Sequence, residues 1–286
     1  TGEIPDTLFI KFKAESGEVN NYLTVKQIEG IPGLSELSGI NILHPTFLYL
    51  NAERLGPRDF QHYSADEINM GIRGEFTSHI LHKNERKKIL PGKCLNKEEK
   101  TIFLKPQVEA WMNLIVPGIE LQTELNEKSN TVAIEYRYRN YETSFVQPSN
   151  IGFGISYVLP IVVAGLIAQK DSILIVENPE AHLHPAGQSK IGQFLAQMAA
   201  CGIQIILETH SEHIINGIRL AVLKKIIEQD DVLINFLSMD LKKAIPKIEK
   251  ININNKGELS EWPTEFFDQE ELDLAEIFRL QQGNKK

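Results

Sequence analysis

Two short hydrophobic runs in this sequence each end in acids and imidazoles. Residues 172–176 (SILIV) lead into Glu177-Asn178-Pro179-Glu180-Ala181-His182-Leu183-His184-Pro185, and residues 203–207 (IQIIL) lead into Glu208-Thr209-His210-Ser211-Glu212-His213. If the two runs are neighbours, Glu177, Glu180, His182, His184, Glu208 and His210 crowd one rim. Carboxylates gathered there can hold a magnesium ion or orient water, and imidazoles can sense or stabilise phosphate charge. Taken singly, such residues cap strands and helices: Ser211 fits an N-cap and Asn178 a turn. Two adjacent strands that both end this way favour a site. Upstream, Asn150-Ile151-Gly152-Phe153-Gly154-Ile155-Ser156 stands just before a helix. Glycines there expose backbone N–H groups and the helix dipole adds positive charge, which together suit an anion. Alone, Gly-x-Gly-x-Ser is more often a tight turn; its weight comes from lying one helix before SILIV.

The rim requires elements that bring the two runs together. Residues 156–169 read as an apolar helix, 172–176 as a buried strand, 185–201 as a helix closed by Gly202, 203–207 as a second buried strand, 211–229 as a helix and 231–238 as a third strand. Strands apolar on both faces that alternate with helices predict a parallel sheet covered by helices, with ligands at the carboxyl ends of its strands. The earlier part is more mixed. Strands are expected over 7–13, 22–27, 46–51 (TFLYLN) and 131–138 (TVAIEYRY), and helices over 64–82 and 105–116, the latter before the Pro117-Gly118 break. The chain thus divides near residue 145, into a strand-rich and helical part over 1–145 and an α/β lobe over 146–286. Near the end, 248–254 reads as an edge strand and 269–280 as an acidic amphipathic helix. Trp262, Phe266 and Phe267 read as packing residues.

Composition narrows the function classes. The 286 residues, 42% hydrophobic and 24% charged, are ordinary for a globular protein of one large core or two modest ones. The longest apolar run, 158–168, contains Pro160 and is too short to span a bilayer, and the first residues lack the pattern of a signal peptide. Cys94 and Cys201 cannot make a disulfide framework, so a reducing cytoplasm is the expected setting. A formal charge of -8 argues against nucleic-acid binding by the whole surface. A local basic patch remains open at 83–93 (KNERKKILPGK), beside its plainer reading as a solvated loop.

The order of a glycine-rich turn, a helix, a hydrophobic strand ending in acids, a helix and a hydrophobic strand ending in Thr-His resembles the ABC-type heads of recombination and SMC-like ATPases. More specifically, ILIVENPEAHLHPAGQ, IILETHSEHIINGIRLAV and GELSEWPTEFFDQEELDLAEIF resemble a bacterial group of AAA-labelled, overcoming-lysogenisation-like ATPases, with a weaker likeness over 46–60. The resemblance implies an ABC-ATPase-like (P-loop NTPase) α/β sheet with flanking helices, preceded by a mixed strand and helix region. It implies ATP and Mg2+ as ligands, and a head–head dimer that closes on ATP. Residue by residue, it implies Glu177 as the Walker B acid that binds magnesium through water. It implies Glu180 in the loop leading towards the partner subunit, with His182 and His184 in a D-loop-like segment. His210 becomes the switch histidine at the γ-phosphate, and Gly152, Gly154 and Ser156 the signature-like turn facing ATP of the opposite subunit. Arg54 and Arg58 fall near the position of a Q-loop. Relatives of this type often act in DNA transactions or in defence against phage, paired with an effector nuclease.

Two departures from the family pattern stand out. Asn178 occupies the place of the usual catalytic glutamate, and an amide cannot accept a proton from water as a carboxylate can. Either Glu180 or Glu208 takes that role, or hydrolysis is slow and ATP serves as a switch. No Gly-x-x-x-x-Gly-Lys-Ser/Thr occurs; Pro91-Gly92-Lys93-Cys94 lacks the first glycine and the hydroxyl. A sequence that begins at Thr1 fits a segment whose Walker A part precedes it, and such a segment is expected to bind ATP poorly by itself. Two other readings compete. One is a metal-dependent hydrolase or nuclease with Glu180, His182, His184, His210 and His213 as ligands, although no Asp-x-Asp of the Toprim kind is present. The other is a non-hydrolysing assembly scaffold, which Asn178 keeps open.

Overall fold

In the computed structural model the described residues are 9–16, 21–29, 47–63, 69–89, 94–139, 144–240, 245–261, 263 and 269–283. In chain order they form β1 (Phe9–Ser16), β2 (Asn21–Glu29), β3 (Phe47–Leu50), β4 (Phe60–His62), α1 (Thr77–Lys83), α2 (Leu104–Ile115), β5 (Ile119–Asn126), β6 (Thr131–Tyr138) and α3 (Phe153–Ile167). There follow β7 (Ile173–Glu177), α4 (Pro185–Ala199), β8 (Gln204–Glu208), α5 (Glu212–Leu223), β9 (Leu233–Asp240), β10 (Ile245–Asn252) and α6 (Gln269–Gly283). Trp262, Phe266 and Phe267 lie outside the described residues.

The SILIV and IQIIL runs are neighbours, as expected. They are β7 and β8 of a parallel sheet in the order β3-β7-β8, with Glu177 opposite Glu208. The expected third strand is corrected. Residues 231–238 do not join this sheet; β9 pairs antiparallel with β10, and the third parallel strand is β3, from the earlier part of the chain. The sequences explain the exchange. FLYL is apolar on both faces, whereas β9 carries Asn235 and Ser238 among its apolar residues and suits a ladder covered on one side. That covered side holds Ile234 and Phe236, which pack with Ile251 against Ile215 of α5. Of the helix expected over 64–82, residues 64–68 lie outside the described residues and 69–76 are not helical. The helix begins at Thr77, because Gly71 (φ 72°) and Gly74 (φ 75°) hold the preceding segment in left-handed turns.

Helix α3 is the centre of the core. From Val158 to Leu166 every residue is buried, as befits a helix apolar all round. It packs against β3 and β7 on one side and α1, α2 and α4 on the others. An antiparallel sheet β4-β6-β5 flanks α1 and α2. Cys94 and Cys201 are joined by a disulfide (S–S 2.10 Å), which ties the segment before α2 to the turn between α4 and β8. Two cysteines make no framework, but these two do pair, contrary to the reduced state expected for them. Among the described residues no helix is long and apolar enough to cross a membrane.

Helices α4 and α5 cross with their backbones in contact. A Cβ on Gly192 would collide with the Ile214 carbonyl, and one on Gly217 with the Ser189 carbonyl. Gly192→Ala is therefore expected to cost about 3 kcal/mol through overpacking, outweighing the ~1 kcal/mol that alanine returns in helix propensity. The urea unfolding midpoint measures it.

A second prediction concerns pH. His79 is buried (1% exposed) against the Tyr63 ring, with centroids 4.9 Å apart. Burial, with Lys83, His82 and His62 adding, pushes its imidazole below the ordinary value of 6.5. The fold thus binds fewer protons here than the unfolded chain, so this contribution is full above pH 6.5 and is lost as pH falls through the lowered value. Unfolding midpoints are expected to drop between pH 7.5 and 5, and less steeply in His79→Phe.

Candidate functional site

The rim at the carboxyl ends of β3, β7 and β8 is built on one buried cation. Arg54 (1% exposed) follows β3 and reaches under the turn after β7. Its Nη1 donates to the carbonyls of Asn51 (2.9 Å) and Glu177 (2.5 Å), its Nη2 to Asn178 (2.6 Å), and its Nε to Tyr157 of α3 (3.1 Å). The guanidinium also lies 5.5 Å from the Tyr157 ring centroid. Burial lowers its pKa to about 10, opposed by Tyr157, Glu180 and Glu177, so it stays charged at neutral pH. Three chain segments thus converge on a side chain that none of the rim residues could replace.

Around this tie the acids take distinct positions. Glu177 accepts from the Tyr49 hydroxyl (2.8 Å) and from the Ala52 N–H (3.0 Å). The hydrogen bond to Glu177, with burial and that negative charge adding, raises the Tyr49 phenol above its ordinary value and keeps it a donor. Glu180 spans to the segment after β8, where Oε2 accepts from the Thr209 hydroxyl (2.7 Å) and Oε1 from the His210 N–H (2.8 Å). Glu208 is half exposed (49%), and its Oε1 lies 3.1 Å from Nε2 of the open His210 side chain (81% exposed). The other Glu208 oxygen accepts from the Asn178 N–H (3.2 Å). Asn178 itself turns the chain in the left-handed region (φ 41°), a conformation its short amide tolerates.

The remaining candidate residues face other ways. His182 (φ 61°) packs its ring against Tyr157 (4.6 Å) and Phe153 (5.6 Å). His184 caps α4, with Nδ1 accepting from the Ala186 N–H at 3.4 Å. His213 lies 3.8 Å from Glu212. Ser211 is the N-cap of α5, accepting from the N–H groups of His213 and Ile214. The five-residue metal set of Glu180, His182, His184, His210 and His213 is therefore not assembled. Among the described residues no group of three His, Cys, Asp or Glu side chains converges as metal ligands. In the glycine-rich turn, Gly152 is the N-cap of α3 with open space at its Cα. Gly154 lies inside the helix, where an added Cβ would stand 2.5 Å from the His182 carbonyl. Gly154→Ala should therefore push the His182 segment off α3, seen as faster amide exchange over residues 180–184. The Ser156 hydroxyl is buried without a partner beside a small cleft lined also by Arg58, Gln61 and Thr77.

Sequence reasoning missed Tyr49 and Thr209. Both become legible once β3 is known to lie beside β7, since strand alternation then puts Tyr49 on the same face as Glu177 and Glu208. That face is bare at its centre: Phe47 and Ile206 are 44% and 48% exposed, while Leu50, Leu174 and Val176 on the opposite face are fully buried. The acids therefore stand at the end of an apolar surface that no described residue covers. As for a divalent cation, one carboxylate held by two donors, with a second exposed carboxylate close by, suits a hard ion that keeps most of its water. Glu177 is the residue that would hold it.

Comparison with known proteins agrees with an ATPase-type fold. Residues 49–216 match the family described as "AAA domain, putative AbiEii toxin, Type IV TA system". Residues 227–277 match a family described as a protein of unknown function (DUF3696). No curated protein matches. Among solved structures, the chain is similar to an SMC head bound to the C-terminal winged-helix domain of ScpA, with a TM-score of 0.40 and 13% identity over 53% of this chain and 43% of that one. A structure described under ATP-driven dimerization and DNA-stimulated activation of SMC ATPases gives a TM-score of 0.40 and 12% identity, over 62% of this chain and 91% of that one. The Pyrococcus furiosus Smc head with an extended coiled coil gives 0.39 and 12%, over 62% and 37%. The chain thus spans less than half of the first of these.

Proposed function

We propose, for a chain that belongs to this AAA-domain family, that it is part of an ATPase head that binds ATP-Mg at the strand-end rim and uses binding and hydrolysis as a conformational switch. The observation that carries this reading is the Glu177–Tyr49 and Glu208–His210 constellation at the ends of adjacent parallel strands. When bound, magnesium would neutralise phosphate charge; Glu177 would hold it, and Tyr49 and the Ala52 N–H orient that carboxylate. The proton of the attacking water passes to the Glu208–His210 pair. Glu180 is the weaker candidate because both of its oxygens already accept hydrogen bonds, and Asn178 has no basic atom. In the tautomer with Nε2–H donating to Glu208, Nδ1 carries the basic lone pair. Glu180 and Asn178 position this pair, and the open N-cap of α3 at Gly152 faces anionic groups.

In this reading residues 146–286 form the lobe with the signature-like turn, Walker B acid and switch histidine, while 1–145 supply β3 and an insertion. The bare face bearing Phe47 and Ile206 takes the segment that carries the Walker A phosphate cradle, which no run in this sequence supplies. His182 and His184 stand in the loop directed to a second head, so the working unit is a head–head dimer. The setting we infer is anti-phage defence or a DNA transaction in the cytoplasm, with any nuclease chemistry on a partner chain. A protein combining this chain with a phosphate cradle should dimerise on adding ATP-Mg, by analytical ultracentrifugation, and Glu177→Gln should abolish that response. Turnover and dimerisation unaffected by Glu177→Gln and His210→Ala alike would end the assignment. A scaffold reading would then stand, supported by Asn178 at the place of the usual glutamate.

A further inference from the structure

Residues 83–105 carry a local excess of positive charge: they hold eight Lys and Arg against three Glu, whereas the rest of the chain holds 22 against 35. The described parts of this segment form a strap. Ile89 N–H donates to the Ile102 carbonyl, Leu104 N–H to Lys87 and Lys105 N–H to Glu85, which sets Lys88 opposite Phe103 in an antiparallel bridge. Arg86, Lys87, Lys88, Lys97 and Lys100 are exposed along it. Only Arg86 has an ion pair identified among the described residues, with Glu85 at 3.7 Å, and at the surface such a pair neutralises little. The acid of Glu99 is occupied by the Thr101 N–H. Beneath the strap, the Cys94–Cys201 bridge fixes its second arm to the end of α4.

We propose that this strap is a docking surface for the phosphodiester backbone of nucleic acid. Exposed lysines and an arginine on paired extended segments, in a chain of formal charge -8, give a polyanion a local basic surface. Phe103 (38% exposed) is the one large hydrophobic side chain exposed among the described residues of the strap. An acidic protein partner would call for an apolar centre to the patch, which is absent there. A single aromatic beside Lys88 suits instead an unpaired base stacked on the ring. The strap stands at the far end of α2 from the rim. The last residue of that helix, Ile115, lies against Gly187 in the first turn of α4, and twelve helical residues separate the two ends by about 18 Å. The surface is therefore distinct from the ATP site, and its test does not depend on nucleotide.

Fluorescence anisotropy with a labelled 20-nucleotide single strand and the matching duplex, across about 50–200 mM salt, tests it. The expected result is binding whose log affinity falls against log salt with a slope of about -3 to -4, as for four or five phosphate contacts. Arg86→Glu/Lys87→Glu/Lys88→Glu and Lys97→Glu/Lys100→Glu should each weaken binding at least about tenfold and flatten that slope. Lys247→Glu/Lys250→Glu, exposed on β10 in the separate β9-β10 sheet, should leave it unchanged. Phe103→Ala should weaken the single strand more than the duplex. Unfolding midpoints within a few degrees of the parent show that the variants are folded. Binding without salt dependence, strap variants that bind like the parent, or poly-glutamate competing as well as unlabelled oligonucleotide would each overturn the proposal, the last by assigning the strap to an acidic protein.

Discussion

Arg54→Met lowers the stability of the chain by about 4 kcal/mol. The substitution takes the guanidinium donor from the carbonyls of Asn51 and Glu177, in a place that water reaches poorly, while the Asn178 carbonyl keeps the Ala181 N–H (3.1 Å) and that of Tyr157 its partner within α3. An unsatisfied buried acceptor costs about 1–3 kcal/mol, so the two that lose their donor bring the loss to about that figure. In a chain of this size the melting temperature falls by about 10 °C. Arg54→Lys recovers only part of the loss, because a single ammonium cannot reach carbonyls on three sides of a planar fork. Urea unfolding measures the stability, and amide exchange over residues 175–181 and 153–158 shows where it is lost. Equal exchange in parent and variant there would mean that Arg54 does not hold the turn after β7.

Glu208→Gln lowers ATP turnover at least about 100-fold while changing the KM for ATP by no more than about threefold, the signature of a lost proton acceptor. The amide keeps the shape and accepts from the Asn178 N–H, but it no longer fixes His210 with its basic nitrogen outward. Glu180→Gln behaves differently. That acid positions Thr209 and the His210 N–H, so its loss reduces turnover together with local order in the segment after β8. Measured in a protein that joins this chain to a phosphate cradle, the two variants separate a chemical role from a positioning one. A Glu208→Gln protein that turns over like its parent would remove Glu208 from the mechanism.

The amide of Asn178 makes sense against this background. It sits at a left-handed turn that asparagine adopts more readily than a charged β-region residue would, and its N–H holds Glu208. In the proposed reading, the place of a usual acid serves geometry and the neighbouring strand carries the carboxylate.

How much of this was legible beforehand depends on the range of the interaction. Residues 172–185 and 203–213 could be read directly, because continuous apolar runs declare buried strands and the polar residues that follow them in sequence also follow them in space. The central helix, its neighbours α2 and α4, and the strands over 119–138 in part, announced themselves by local patterns of the same kind. The third strand did not. Residues 231–238 and FLYL are both apolar enough for a sheet, and only the covering of their faces decides between them; β3 is joined to β7 across more than a hundred residues, a pairing no local pattern encodes. The same holds for Arg54. An arginine after a strand reads as exposed, and its burial follows only when three carbonyl-bearing segments close around it. By itself, then, the sequence determined which residues end the strands and what chemistry their types allow. Tertiary structure alone decided that Glu180 is occupied, that Glu208 holds His210, and that His182 and His184 pack and cap, because hydrogen-bond partners distant in sequence are chosen by the folding of the whole chain.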